Sequence, residues 1–150
     1  MTIRRLTSAD RQEYLAMSKE FYASNAVLHP IPDANFEKTF ALLLSGSPAA
    51  EAFFAEKDGK AAGYALLSFS WSNEGGGLTV WLEEIYVRPA FQRLGVGSAL
   101  LREILTAYAG KAARFRLETE DENTGARRLY ERFGFRDFPY RQMILEQGEK

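Results

Sequence analysis

With 150 residues, 46% hydrophobic and 26% charged, the chain has the size and balance of one folded domain, which excludes a disordered segment. Nineteen Lys and Arg against twenty Asp and Glu give a net charge of -1, so no global positive field draws it to nucleic acid or anionic membrane, and neither partner is expected. There is no cysteine and one histidine, His29; disulfides, thiolate sites, a multi-histidine metal centre and an acyl-cysteine intermediate are all removed, and no metal is expected.

No apolar run approaches the ~20 residues of a membrane span, and residues 1–10 lack the apolar core of a signal peptide, so a cytoplasmic location is expected. No repeat or linker divides the chain, which reads as a single domain over residues 1–150. Residues 2–6 form a short strand, and Ser8 can cap a helix in which Tyr14, Leu15, Ser18, Phe21 and Tyr22 run at helical spacing towards an end near Asn25. Pro30 and Pro32 interrupt residues 26–33, and a second helix follows over residues 35–44. Residues 52–56 and 61–71 are strands joined through Asp58-Gly59, with Gly63 marking a bulge. After Gly75-Gly76-Gly77, residues 78–87 read as a central strand ending at Arg88-Pro89. Gly97, Leu100, Leu101, Ile104, Leu105 and Tyr108 share one helical face, with Gly110 as a stop. A strand over residues 114–118 precedes a helix capped by Asn123, with Ala126, Leu129, Tyr130 and Phe133 on one face and Gly134 at its end. Residues from Phe135 and residues 140–145 supply the last strands. This β-α-α-β-β-β-α-β-α-β-β order predicts a mixed α/β sheet with helices on both faces.

The densest chemical signal is the strand-loop-helix run over residues 87–98. Free amides and the dipole at a helix N-terminus attract phosphate, and glycines admit a pyrophosphate close to the backbone. The loop lacks the Gly-Lys-Ser/Thr ending of a nucleoside triphosphate loop and the third glycine of a dinucleotide fingerprint. Gln92-Arg93-Leu94-Gly95-Val96-Gly97 matches in full the Gln/Arg-x-x-Gly-x-Gly/Ala motif of the GNAT acetyltransferases. Asn123 through Phe135 resembles the second GNAT signature, Asn-x-x-Ala-x-x-x-Tyr-x-x-x-Gly-Phe. Resemblance is strongest over residues 82–135.

That resemblance implies a mixed, mostly antiparallel sheet of six to seven strands with a splayed central pair, and acetyl-CoA as co-substrate. Backbone of Ile85, Tyr86 and Val87 would pair with the pantetheine arm. Gln92, Arg93, Leu94, Gly95, Val96, Gly97 and Ser98 would surround the pyrophosphate, and Gly97 would have to stay small. Asn123 would contact the cofactor, and Tyr130 would protonate the departing thiolate. Adjacent Glu83 and Glu84 resemble the acidic pair of the polyamine-acetylating branch; strand alternation aims at most one of them at the reacting centre, with Glu83 favoured as base unless a bulge exchanges their facing. Tyr22, His29, Phe36, Trp71 and Trp81, with Glu84, are candidates for the acceptor pocket. The implied reaction is direct acetyl transfer to the primary amine of a small molecule, possibly polyamine-like; protein or peptide acetylation and a non-catalytic acyl-CoA sensor are the alternatives. The aromatic segment over residues 133–140 is compatible with a homodimer.

Overall fold

The computed structural model describes residues 1–24 and 27–148. Its sheet has five strands in chain order, β1 (Thr2–Arg5), β2 (Ala50–Lys57), β3 (Lys60–Ser72), β4 (Gly77–Val87) and β5 (Ala112–Leu117). The first three pairings are antiparallel hairpin-type neighbours. β5 lies parallel to β4, which requires a crossover, and α3 (Val96–Ala107) supplies it. α1 (Arg11–Tyr22) and α2 (Asp33–Leu44) precede β2, and α4 (Thr124–Arg132) follows β5.

Alternation along the strands divides the core between the two sheet faces. Phe53, Ala65, Leu67, Val80 and Leu82 pack with Leu100, Leu101, Ile104 and Tyr130 of α3 and α4. Phe54 and Tyr64 point the other way, against Tyr14, Met17, Phe21 and Phe40 of α1 and α2. In α1 the buried positions 14, 17, 18 and 21 recur at i, i+3, i+4 and i+7, which makes one inward stripe.

The entry to α1 differs from expectation. Thr7, not Ser8, flanks a short 3-10 turn over Ser8–Asp10, and the Asp10 carboxylate folds back to accept the Thr7 N–H at 2.7 Å. α1 itself ends at Tyr22; Asn25, where its end was expected, and Ala26 lie outside the described residues. The six to seven strands expected are five. Residues 135–148 form no strand; they are held by side chains instead, with Phe138 over the guanidiniums of Arg114 and Arg116 and Arg127 paired to Asp137 at 2.8 Å. Pro139 removes a backbone donor in the middle of this stretch, which discourages a ladder. Beyond it Met143, Ile144 and Leu145 are exposed. Among the described residues no helix is long and apolar enough to cross a membrane.

Candidate active site

Two irregularities of β4 build the site. Leu66 of β3 pairs with Glu84, while the next residue, Leu67, pairs with Leu82, so Glu83 is an extra residue without a partner on β3. Such a bulge shifts the alternation by one. Val80 and Leu82 face α3 and α4 before it, and Ile85 and Val87 face the same side after it. Glu84 and Tyr86 are therefore turned towards α1 and α2. The second irregularity is on the opposite edge. β5 accompanies β4 only as far as the Leu82–Leu117 pair, and beyond it β4 has no strand partner on that side among the described residues. A strand edge of this kind can take an added extended segment.

The loop after β4 has the geometry of an anion nest. Arg93 has a φ of +62° and Gly95, the N-cap of α3, a φ of +84°; left-handed residues in a tight loop turn successive N–H groups to one concave side. Glycine adopts that conformation without strain, and Arg93 does so at a cost. Gln92 donates its side-chain amide to the Val87 carbonyl at 3.2 Å, tying the loop to the strand end. Leu94 is exposed, Val96 is buried in the core and Ser98 is half-buried. Gly97 is limited by packing between helices: a Cβ there would stand 3.2 Å from Leu129 Cδ2 of α4.

Asn123 caps α4, its Oδ1 accepting the Ala126 N–H at 3.4 Å. One turn further Tyr130 is 8% exposed, its ring edge-on to Phe135. Burial pushes its phenol up to about 12, and its hydroxyl has no hydrogen-bond partner among the described residues. It therefore keeps its proton near neutrality and has it free to donate.

On the other face α1, α2 and β4 enclose a cleft of about 390 Å³. Glu84 lies at its base. Tyr22 donates its hydroxyl to Glu84 Oε2 at 2.7 Å and Tyr64 donates to Oε1 at 2.6 Å. Burial holds the Glu84 carboxyl above the ordinary carboxylate range, outweighing both phenol hydrogen bonds, and the neighbouring Glu83 charge adds to the rise. Burial and the Glu84 charge likewise raise Tyr22. No Lys or Arg pairs with Glu84 among the described residues. Tyr14 and Ser18 line the cleft from α1, Phe36 from α2; the Ser18 hydroxyl, 2% exposed, has no partner.

Of the residues expected from sequence, Tyr22, Phe36 and Glu84 meet in this cleft. Glu83, expected as the base, is exposed and accepts a hydrogen bond from Ser68 at 2.8 Å. The bulge is the reason for the exchange. His29 is exposed, Trp71 is 75% exposed at the far end of β3, and Trp81 stacks under Arg116 at 4.4 Å; none of the three lines the cleft. The sequence reading missed Tyr14, Ser18 and Tyr64 as site residues. Tyr14, Ser18 and Tyr22 stand at i, i+4 and i+8 of α1, a hydroxyl-bearing stripe that was open to notice; Tyr64 had no local signal, because its contact with Glu84 depends on sheet pairing.

The chain matches the acetyltransferase (GNAT) family over residues 13–135. It is 36% identical over 76 residues to the thialysine N-epsilon-acetyltransferase of Sus scrofa, covering 50% of this chain and 44% of that protein. It is 33% identical over 99 residues to an uncharacterised N-acetyltransferase of Methanocaldococcus jannaschii, covering 65% of this chain and 60% of that one. The chain thus spans about half the length of the curated relatives it matches. Among solved structures, a probable acetyltransferase superposes with a TM-score of 0.82 at 21% identity over 100% of both chains. An aminoglycoside N-acetyltransferase in complex with CoA does so with a TM-score of 0.79 at 21% identity, covering 97% of this chain and 94% of that one. With the glycine loop, the parted strands and a family match across most of its length, the chain belongs to the GNAT family of acetyltransferases.

Proposed function

We propose that the chain moves an acetyl group from acetyl-CoA to the primary amine of a small molecule by direct attack. The observation that carries this reading is Glu84, a buried carboxylate without a cationic partner at the base of a cleft. An unpaired buried charge is costly, and an incoming ammonium would relieve that cost. A cleft of about 390 Å³ is also the size of a small-molecule site. The names of the relatives, a thialysine N-epsilon-acetyltransferase among them, agree with an amine acceptor.

Acetyl-CoA supplies the activated acyl thioester. Its pyrophosphate would lie on the nest between Arg93 and Ser98, and its pantetheine arm along the free edge of β4 at residues 85–87. An ammonium entering the cleft gives a proton to Glu84 and attacks as the free amine; the C–N bond forms, the C–S bond breaks, and the thiolate takes the Tyr130 proton. Glu84 is suited to the first step because its raised pKa makes it a stronger base than an ordinary carboxylate. Asn123 holds the start of α4 and so sets the position of Tyr130. A homodimer through the aromatic C-terminal segment is part of this reading, and sedimentation velocity of the full chain tests it.

The test is acetyl-CoA-dependent thiol release against a panel of amines. Tyr130→Phe is expected to lower kcat by about a hundredfold, the scale of one general acid, with acetyl-CoA affinity retained. Glu84→Gln should lower kcat/KM by a similar factor. Full activity in Tyr130→Phe, or Glu83→Gln proving more harmful than Glu84→Gln, would remove the proposed roles.

A further inference from the structure

The cleft that holds Glu84 carries a second charge of the opposite sign. Lys38 of α2 lines the same cleft; its side chain is exposed, so the ammonium stands at the mouth, while Glu84 is buried at the base. Among the described residues Lys38 makes no ion pair. Asn35, one turn earlier on α2, lines the cleft beside it and is exposed as well. Between the two ends the wall is uncharged: Tyr14 and Tyr22, the apolar Ile31 and Phe36, and the unpartnered Ser18 hydroxyl.

We infer that the acceptor is an amino-carboxylate, its amine against Glu84 and its anionic end held at the mouth by Lys38 with the Asn35 amide. This rests on the reading of the cleft as the acceptor site. One buried negative charge and one positive charge at the rim make a site complementary to a zwitterion. A polycation fits it poorly. Its second ammonium would approach Lys38, and the nearby acids offer no alternative: Glu83 lies outside the cleft and is bound by Ser68, while Glu13 and Glu20 are paired with Arg88. Lys38 needs no partner in the free protein because water solvates it at the rim, so it can be desolvated by a substrate carboxylate at small cost.

Three amines of equal length that differ only in the charge of the far end test this: 6-aminohexanoate, hexylamine and 1,6-diaminohexane, each with acetyl-CoA and the full chain. The expected order of kcat/KM is aminohexanoate first, hexylamine second and the diamine last. Lys38→Gln should raise KM for 6-aminohexanoate about tenfold with kcat retained, the loss of one charge-assisted contact, and leave hexylamine unchanged. Lys38→Glu should place the diamine ahead of the aminohexanoate. Equal or better use of the diamine by the wild type, or an equal effect of Lys38→Gln on all three amines, overturns the assignment. If transfer still depends on Glu84 in that event, the acceptor cleft stands and only the role of Lys38 falls. Transfer indifferent to Glu84→Gln, or no transfer to any of the three by chain that binds acetyl-CoA, overturns both.

Discussion

Glu84 keeps its proton to a higher pH than a carboxylate in water, because the cost of burying its charge exceeds what the Tyr22 and Tyr64 hydroxyls return. A general base has to be ionised, so the acid limb of kcat/KM is expected above the ordinary carboxylate range, with activity rising as pH rises through the elevated pKa. Glu84→Gln should remove that limb, whereas Tyr22→Phe, which deletes one stabilising hydrogen bond to the ionised form, should move it further up. A pH–rate profile from pH 5 to 9 measures both. The chemistry of this carboxylate was legible in the sequence as one of two adjacent glutamates. Which of them faces the cleft was not, since the answer lies in the pairing of β3 with β4. Tyr130 and Asn123, by contrast, were found by the spacing of a helix and its cap, which is local and survives in one dimension.

Among the elements, β4 does most to form the site, and its two neighbours shape it by where they stop pairing. Gly63 of β3 is the point of closest approach: a Cβ there would lie 2.3 Å from the Tyr86 carbonyl oxygen, and the adjoining register shift against β2 leaves Ala62 as the extra residue beside it. Gly63→Ala must push β4 away just where the pantetheine arm is proposed to bind, at a cost of about 1–3 kcal/mol. Gly125 gives the contrast. It lies in the first turn of α4 with nothing within 4 Å of a Cβ, so Gly125→Ala should stabilise by about 0.5–1 kcal/mol. Urea denaturation of the two variants checks the pair, and acetyl-CoA affinity should fall only in the first. The missing sixth and seventh strands belong to the same scale. Residues 140–145 have the composition of a strand, but strand formation needs a partner edge, and Pro139 together with the contacts of Phe138 to Arg114 and Arg116 holds the segment away from a ladder.

For the whole molecule, two buried carboxylates pull the pH dependence of stability in opposite directions. Asp10 is held below the ordinary range by the Arg4 fork, two contacts of 2.8 Å, against the opposing effect of burial, with the Thr7 N–H helping. Its contribution is fully present above the unfolded pKa and is lost as pH falls through the depressed folded value. Glu84, with its folded pKa raised, contributes below the unfolded value and loses that contribution as pH rises through the elevated one. Asp10→Asn is therefore expected to destabilise at pH 7 by about 2 kcal/mol, the scale of breaking a charge-assisted pair, with the difference shrinking in acid. Glu84→Gln should stabilise at pH 8 and approach neutrality below about pH 4, where both states are protonated. Denaturant midpoints across that range separate the two effects.

What the amino-acid order determined by itself was everything carried by short spacing: the helical faces of α1, α3 and α4, the Asp58-Gly59 hairpin, the glycine loop after β4, the Asn123 cap and the buried Tyr130. These depend on residues within a turn or two of each other, and backbone geometry makes such neighbours meet in nearly any context. Only the tertiary structure decided that Glu84 and not Glu83 enters the cleft, that Tyr64 and Tyr22 meet on its two oxygens, that Trp71 and His29 stand outside, and that the sheet closes at five strands. Each of those depends on register between strands far apart in the chain, where one extra residue at Glu83 reverses the facing of all that follows.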